Sequence, residues 1–532
     1  MDRPSLRASQ SAFFNDDEYL DHQSSSPDQR NSKNEAVGTL QVNSYTEVSA
    51  ISRFHAPDNF TILINLKAPP PPTSPNMDDP TQVPQSSRVP IDLVTVLDVS
   101  YSIEGRKIAL LKQAMDFFIQ NLGPNDRLSV IIFSHNCRRL FPLRRMSESG
   151  RLQALGTANV SRIVNGAKIT RGNSYSNSRI PVHTFGFGRD HDASLMHSIA
   201  EMSRGTFSFI ETERVIQDAF AQCIGGLLSV VVKELQVNIE RSFLNQVTPD
   251  GRMGNIDVGD LYAEEEKDFV VTVKVPAEEI SSSELETALL KVRCVNNDPL
   301  TKELMTVRSE EVRIRRPEEV NRQEDVCVEV DRQQNRLLAM EAMELARAAA
   351  EKGDLSAAES ILEKCLKKLS ESVSAKSHDF LCLGLEAELK EIKQKLPSRD
   401  VYEASGRAYM RSGLSSHAWQ KPTGACLSRE SGDADSGYED MGFSLYEDDD
   451  EKNYVCAAAD HDKDIFKSSY SGAAGSRRHA YQTPTINRMV ARSRAATRRN
   501  NKGKSTPAKA LGTIDESKDS SSRGSDRPGY RS

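Results

Sequence analysis

The stretch Ile91-Asp92-Leu93-Val94-Thr95-Val96-Leu97-Asp98-Val99-Ser100-Tyr101-Ser102 carries the most information in this chain. It is mostly apolar through Leu97 and ends in the carboxylate of Asp98. A short apolar run of this kind, without polar alternation, reads as a strand buried on both faces of a parallel α/β sheet. In such sheets ligands bind just outside the carboxyl ends of the strands. There, alternate residues of a loop aim the Asp98 carboxylate and the Ser100 and Ser102 hydroxyls at one centre. Hard oxygen donors suit Mg²⁺, Mn²⁺ or Ca²⁺ rather than zinc. The bland alternative is that Asp98 caps the following helix and the serines satisfy loop amides.

Working outward, Lys107 to Leu122 has helical periodicity and is stopped by Gly123-Pro124-Asn125-Asp126. Leu128–Phe133 reads as a second buried strand, Leu140–Leu143 as a short edge strand, and Ile180–Gly188 as another strand. A helix over 193–202, a strand at Thr206–Ile210 and a helix over 215–232 follow. Strand–helix alternation predicts a doubly wound, Rossmann-like α/β domain over 90–232. Residues 233–318 alternate as strands without helices and predict an antiparallel β-sandwich. The strands within 37–67 precede a Pro-rich linker, 68–89, with four consecutive prolines at Pro69–Pro72. They need partners, since an isolated hairpin is marginal in water. They are expected to join the sandwich, which makes the α/β domain an insertion. Residues 324–411 predict a small helical bundle, with Gly353 as a C-cap and Asp354 as an N-cap.

Hydrophobic residues make up 37% of the 532, aromatics 6%, and mean hydropathy is -0.53. Residues 1–36 and 412–532 are polar and charge-blocked, and are expected to be disordered. No apolar leader or run of membrane-spanning length is found, so an intracellular, cytoplasmic protein with possible nuclear access is expected. The net charge of -7 argues against nucleic acid as a partner of the chain as a whole. The basic tract from Arg477 to Lys509 reads as a nuclear import signal, a weak nucleic-acid patch or a solvated tail. The eight cysteines are scattered without Cys/His spacing, which excludes a zinc finger. Asp190, His191, Asp192 and His197 follow the Ile180–Gly188 strand; helix capping by Asp192 is favoured there over a catalytic His/Asp pair.

The run from Ile91 to Ser100 resembles the opening of a von Willebrand factor type A (VWA) domain and its metal-ion-dependent adhesion site. Asn121–Val130, Pro181–Gly188 and Gln217–Gly226 resemble plant intracellular VWA proteins related to the WAVY GROWTH group of RING-type ubiquitin ligases. Val328–Arg332 and Tyr402–Tyr409 resemble the VWaint region of the same proteins, and Ala480–Pro484 fits as well. Against that pattern, the RING's Cys/His module is missing, and Tyr101 stands where the family usually has glycine. A central strand is missing near 156–179, where the family has a helix, a buried strand and the remaining metal ligands, a threonine and an aspartate. Thr157 and Thr170 are the available substitutes for the threonine, with nothing at either position to argue for it. Either the strand at Val182–Gly188 slides into the vacancy, or the sheet keeps an open internal edge.

The resemblance implies a non-catalytic protein-interaction protein acting in ubiquitin-linked signalling through protein partners, RING-type relatives among them. The alternatives are an E3 ligase component acting with those relatives, or a non-functional truncated member. Asp98, Ser100 and Ser102 form a degenerate metal site for Mg²⁺ or Mn²⁺, with no zinc, no catalytic residue and no membrane partner expected.

Overall fold

The computed structural model describes residues 17–18, 38–71, 88–100, 105–135, 137–158, 180–189, 191–242, 253–277, 286–320, 326–423 and 480–504. Tyr101, Ser102, Thr170 and Asp190 therefore lie outside the described residues.

Strand β3 (Asp92–Asp98) runs parallel to β4 (Arg127–Phe133), with Asp92 opposite Arg127 and Asp98 opposite Phe133. β5 (Cys137–Arg145) lies antiparallel on the other edge of β4. β6 (Thr184–Phe187) and β7 (Phe207–Ile210) form a separate parallel pair. Helices α1 (Arg106–Asn121), α2 (Glu148–Ala158) and α4 (Ile216–Leu227) share a core with these strands. Leu111, Met115, Phe118 and Ile119 meet Leu128, Val130, Ile132, Ile210 and Phe220 there. Phe185 of β6 stacks on Phe220 with ring centroids 4.6 Å apart, so both strand groups rest on the same helical layer.

Among the described residues no strand pairs with the second edge of β3 or of β6. The slide of β6 toward β3 is therefore not observed. Val94 and Val96, on the face of β3 turned away from the core, are 53% and 56% exposed. The physical reason lies on the far side of β7. Its outward amides are held by a helix: Phe207 N–H donates to Ser415 Oγ at 3.0 Å and Phe209 N–H to Ser412 Oγ at 3.2 Å. Both phenylalanines are at most 1% exposed. A strand pair anchored that way keeps its distance from β3, because moving would orphan two buried donors.

The chain leaves one antiparallel sheet, β1 (Gln41–Thr46), β2 (Phe60–Lys67) and β10 (Glu266–Val273), at the end of β2. It re-enters the sandwich at β8 (Val230–Arg241) after completing the α/β unit. β9 (Met253–Tyr262), β11 (Glu286–Asn297), β12 (Leu304–Arg308) and β13 (Val312–Arg315) complete the second sheet with β8. Ile62, Ile64 and Leu66 meet Leu235, Val237, Leu289, Val292 and Ile314 between the sheets. β2 also has Leu63 buried, because α5 (Val328–Glu351) covers its outer face, where Gln334 donates to Thr61 Oγ1 at 3.1 Å.

The helical layer continues with α6 (Leu355–Glu371), the short α7 (Val373–Lys376) and α8 (Phe380–Gln394). After these come the short α9 (Arg399–Val401), a π-helical turn at Tyr402–Gly406, and α10 (Arg407–Trp419). Gly353 ends α5 at φ 88°, and the Asp354 carboxylate accepts from Ala357 N–H at 2.9 Å, as capping chemistry predicts. α3 (Ala193–Ser203) lies between β6–β7 and α10: Ala193 and Ala200 are buried with the helical layer, while Leu195 and Met202 face out.

Two expectations of disorder need correction. Asp17 and Glu18 dock on β5, the Asp17 carboxylate accepting from Leu143 N–H at 2.7 Å and Glu18 N–H donating to the Leu143 carbonyl at 2.9 Å. Within the expected tail, α10 runs on to Trp419, and Pro484–Lys504 forms a further helix, α11. The Ser-rich composition misled at α10, because Ser412, Ser415 and Ser416 are buried as hydrogen-bond partners rather than solvated. In α11, Ile486 and Val490 recur one turn apart and both are buried, so a basic sequence still has an apolar face.

Candidate functional site: the carboxyl-end face of the α/β sheet

The loop after β3 is built from Asp98 outward. Asp98 Oδ1 accepts the backbone N–H of Ser100 at 2.8 Å. The carboxylate thus holds its own loop, while α1 begins at Arg106 with Gly105 as N-cap and no side-chain cap. Asp98 and Ser100 are together on this face; Ser102, the third expected ligand, lies outside the described residues. No group of three or more His, Cys, Asp or Glu among the described residues is placed to hold a metal ion. A hard divalent cation of the Mg²⁺ or Ca²⁺ type takes six or more oxygens. Asp98 and Ser100 offer one carboxylate and one hydroxyl toward such a set, and Ser102 would be the third donor.

Across the face, Gly188 ends β6 at φ 62°, a left-handed conformation that favours glycine. Asp192 caps α3: its Oδ1 accepts from Ser194 and Leu195 N–H, both at 3.0 Å. The capping reading holds. His183 Nδ1 pairs with Thr206 Oγ1 at 2.9 Å, and burial pushes its pKa down to about 3. Burial, reinforced by Arg411 and Arg347, pushes His197 down to about 4. Both are neutral at pH 7.

Between the β6–α3 loop and the start of α10 lies a polar cleft of about 270 Å³. Arg189, His191, Asp192, Ser194, Glu403 and Arg407 line it. Arg407 makes a forked contact with Glu351 at 2.7 and 2.9 Å, and Tyr402 donates to the same carboxylate at 2.9 Å. Burial and the Glu351 carboxylate push the Tyr402 phenol up to about 12. Gly406 closes the π-turn, because a Cβ there would stand 2.7 Å from the Lys395 carbonyl.

Sequence reasoning missed a buried polar junction beneath this face. Lys267 Nζ lies 2.8 Å from Glu265 Oε1 and donates to the Trp419 carbonyl. Burial pushes its pKa down to about 8. Lys421 sits 4.0 Å from the Tyr262 ring centroid. Above it, His417 Nε2 pairs with Glu388 Oε2 at 2.7 Å and His417 Nδ1 with Tyr481 Oη at 2.9 Å. In sequence the signal was faint: Glu388 and His417 stand at inward positions of helices, while Lys267 lies in β10 and Lys421 just past α10.

Parallel strand pairs with Asp98 and Ser100 in a carboxyl-end loop, set into a β-sandwich and backed by helices, form a VWA-like α/β domain. The family described as von Willebrand factor type A domain matches residues 93–175 and, in a second form, 165–209. The family described as VWA / Hh protein intein-like, Vwaint, matches residues 379–495, a later span than the 324–411 expected, and one that takes in most of α11.

The chain therefore carries a VWA domain and a Vwaint region, and it is distantly related to plant proteins of the WAV type. It is 27% identical over 405 residues to the E3 ubiquitin-protein ligase WAV3 of Arabidopsis thaliana, covering 67% of this chain and 53% of that one. To the E3 ubiquitin-protein ligase WAVH1 of the same organism it is 27% identical over 366 residues, covering 63% and 52%. The chain spans about half the length of these curated relatives. Among solved structures, von Willebrand factor type A from Catenulispora acidiphila shares the fold, with TM-score 0.51 and 14% identity, covering 74% of this chain and 98% of that chain. No helix among the described residues is long and apolar enough to cross a membrane.

Proposed function

We propose that this chain is a non-catalytic protein-interaction protein that serves as an adaptor or regulator in ubiquitin-linked signalling. The similarity to WAV3 carries the reading: an alignment of 405 residues is too long for any one of the three folded bodies. What this chain has in common with relatives named as ligases is thus a multi-body scaffold. The neutral His183 and His197, each fixed by burial, support a scaffold over a general acid–base site. The partner is a protein, and RING-type relatives are the first candidates.

The test uses the purified full chain in a reaction with ubiquitin, an activating enzyme and a conjugating enzyme. We expect no ubiquitin chains from it alone, and saturable binding to a RING-type relative in a surface-based assay. Ubiquitin chains formed without the relative would sink the non-catalytic reading. The second reading, a ligase component, is favoured if adding the chain to the relative raises its ubiquitin transfer.

A further inference from the structure

His183 Nε2 and Gln222 Nε2 are both buried, and neither has a hydrogen-bond partner among the described residues. Gln222, on α4, is only 3% exposed. The proton on the imidazole is placed by the ring's other side. The Thr206 backbone N–H donates to His183 Nδ1 at 3.2 Å, so Nδ1 accepts and the neutral ring carries its proton on Nε2. Both unmet groups are therefore donors. Buried donors in native structures are met by protein, water or an ion, because an unmet one costs its full desolvation.

His183 and Gln222 line the same pocket, of about 20 Å³, where the lead into β6, α4, the end of β9 and the segment after α10 meet. α11 closes one side with Ile486. It can do so because Gly225 lets the two helices approach: a Cβ there would stand 3.0 Å from Met489 Cβ and 3.4 Å from Ile486 Cα. Lys421 supplies a third donor and a charge. Its Nζ stands 4.0 Å from the Tyr262 ring centroid and makes no ion pair among the described residues. Glu265 and Asp260 act on it only from farther off, and Glu265 is already held by Lys267 at 2.8 Å. No Asp or Glu among the described residues lines the pocket.

Three donors with no carboxylate among them call for an acceptor, and the ammonium favours one that carries negative charge. The volume sets its size. A pocket of this order holds about one water-sized body, which admits a halide and excludes sulfate or phosphate. Lys421 is half-buried, so an ion exchanges with solvent past it.

We propose that this pocket binds one small monovalent anion of chloride size, held by Lys421 Nζ, His183 Nε2–H and the Gln222 side-chain amide. The ion ties α4 and the lead into β6 to the segment after α10, at the seam between the α/β unit, the sandwich and the helical layer. This goes beyond the adaptor reading and does not depend on it.

The test uses the full chain and two variants. Gln222→Glu puts a carboxylate where the amide stands, so the chain supplies its own anion; Lys421→Met removes the charge. Gluconate, too large for the pocket, is exchanged for chloride at constant ionic strength while thermal unfolding is followed. The wild-type midpoint should rise by roughly 2–4 °C and neither variant's should, since only a binder of the native state shifts it. No rise in the wild type, or the same rise in all three proteins, overturns the proposal and leaves the pocket to water. If a variant loses cooperative unfolding, the wild type alone decides through the chloride NMR line. The chain should broaden that line, and added bromide, competing for the same site, should narrow it again. A line that the chain does not broaden, or that bromide does not narrow, refutes the site.

Discussion

Replacing Ser412 and Ser415 by alanine tests whether these hydroxyls are what fixes the β6–β7 pair. They accept the amides of Phe209 and Phe207 at 3.2 and 3.0 Å, and both phenylalanines are at most 1% exposed. The substitutions remove one oxygen each and add no bulk, so the loss is chiefly the desolvation cost of two orphaned amides, and the 3.1 Å bond from Ser412 to Thr423 goes with it. At about 1–3 kcal/mol per buried unsatisfied group, the double variant should lose about 2–6 kcal/mol. That is a large share of the roughly 5–15 kcal/mol that holds a typical domain together. Urea unfolding should show a lower midpoint at an unchanged slope, and hydrogen exchange should speed at Phe207 and Phe209. Ser198→Ala is the control, since its hydroxyl is exposed and bonds only its own helix at Ser194 O, 2.8 Å away. A double variant that loses less than about 0.5 kcal/mol, the ordinary range for surface changes, would refute the reasoning.

Other outcomes follow from the same structure. Millimolar Mg²⁺ or Mn²⁺ should leave the thermal midpoint unchanged, because a binder of the native state must raise it; a rise abolished by Asp98→Ala would restore the metal site. Gly384→Ala, in mid-α8 with nothing within 4 Å of the new Cβ, should stabilise by about 0.5–1 kcal/mol, whereas Gly406→Ala should destabilise by driving a Cβ against the Lys395 carbonyl. Thermal scans of the two variants check both signs. Burial pushes Cys223 and Cys294 up to about 12 and Cys365 to about 11. Unfolded thiols thus release their protons first, and stability should fall as pH climbs from about 9 to 11. Lys267, pushed down to about 8, opposes this between 8 and 10.5, but as one group against three. A midpoint that rises over that range would contradict the assignment. Val96→Lys, on the uncovered face of β3, should slow aggregation with little change in stability, measured by light scattering beside a thermal scan.

Much of this architecture is written locally. The apolar run ending at Asp98, the Gly123-Pro124 stop, the caps at Asp192, Asp354 and Gly353, and the alternation after Lys233 each act within a few residues of chain. Periodicity and capping therefore place the VWA core, the sandwich and the helices without help from tertiary contacts. The expectation of a gap beside β3 comes from the sequence alone, since no apolar run between 156 and 179 is long enough for a buried strand, and residues 159–179 lie outside the described residues.

What stands beside β6 and β7 was settled elsewhere. Whether β6 moves over depends on Ser412 and Ser415, more than 200 residues away, in a segment whose composition reads as tail. The basic stretch after Pro484 folds only because Gly225 leaves room on α4. Lys267 is buried because the end of α10 reaches the sandwich. Composition averages over a segment, whereas burial acts residue by residue. A polar side chain with its hydrogen bonds met belongs inside, and only the tertiary structure shows which ones are met.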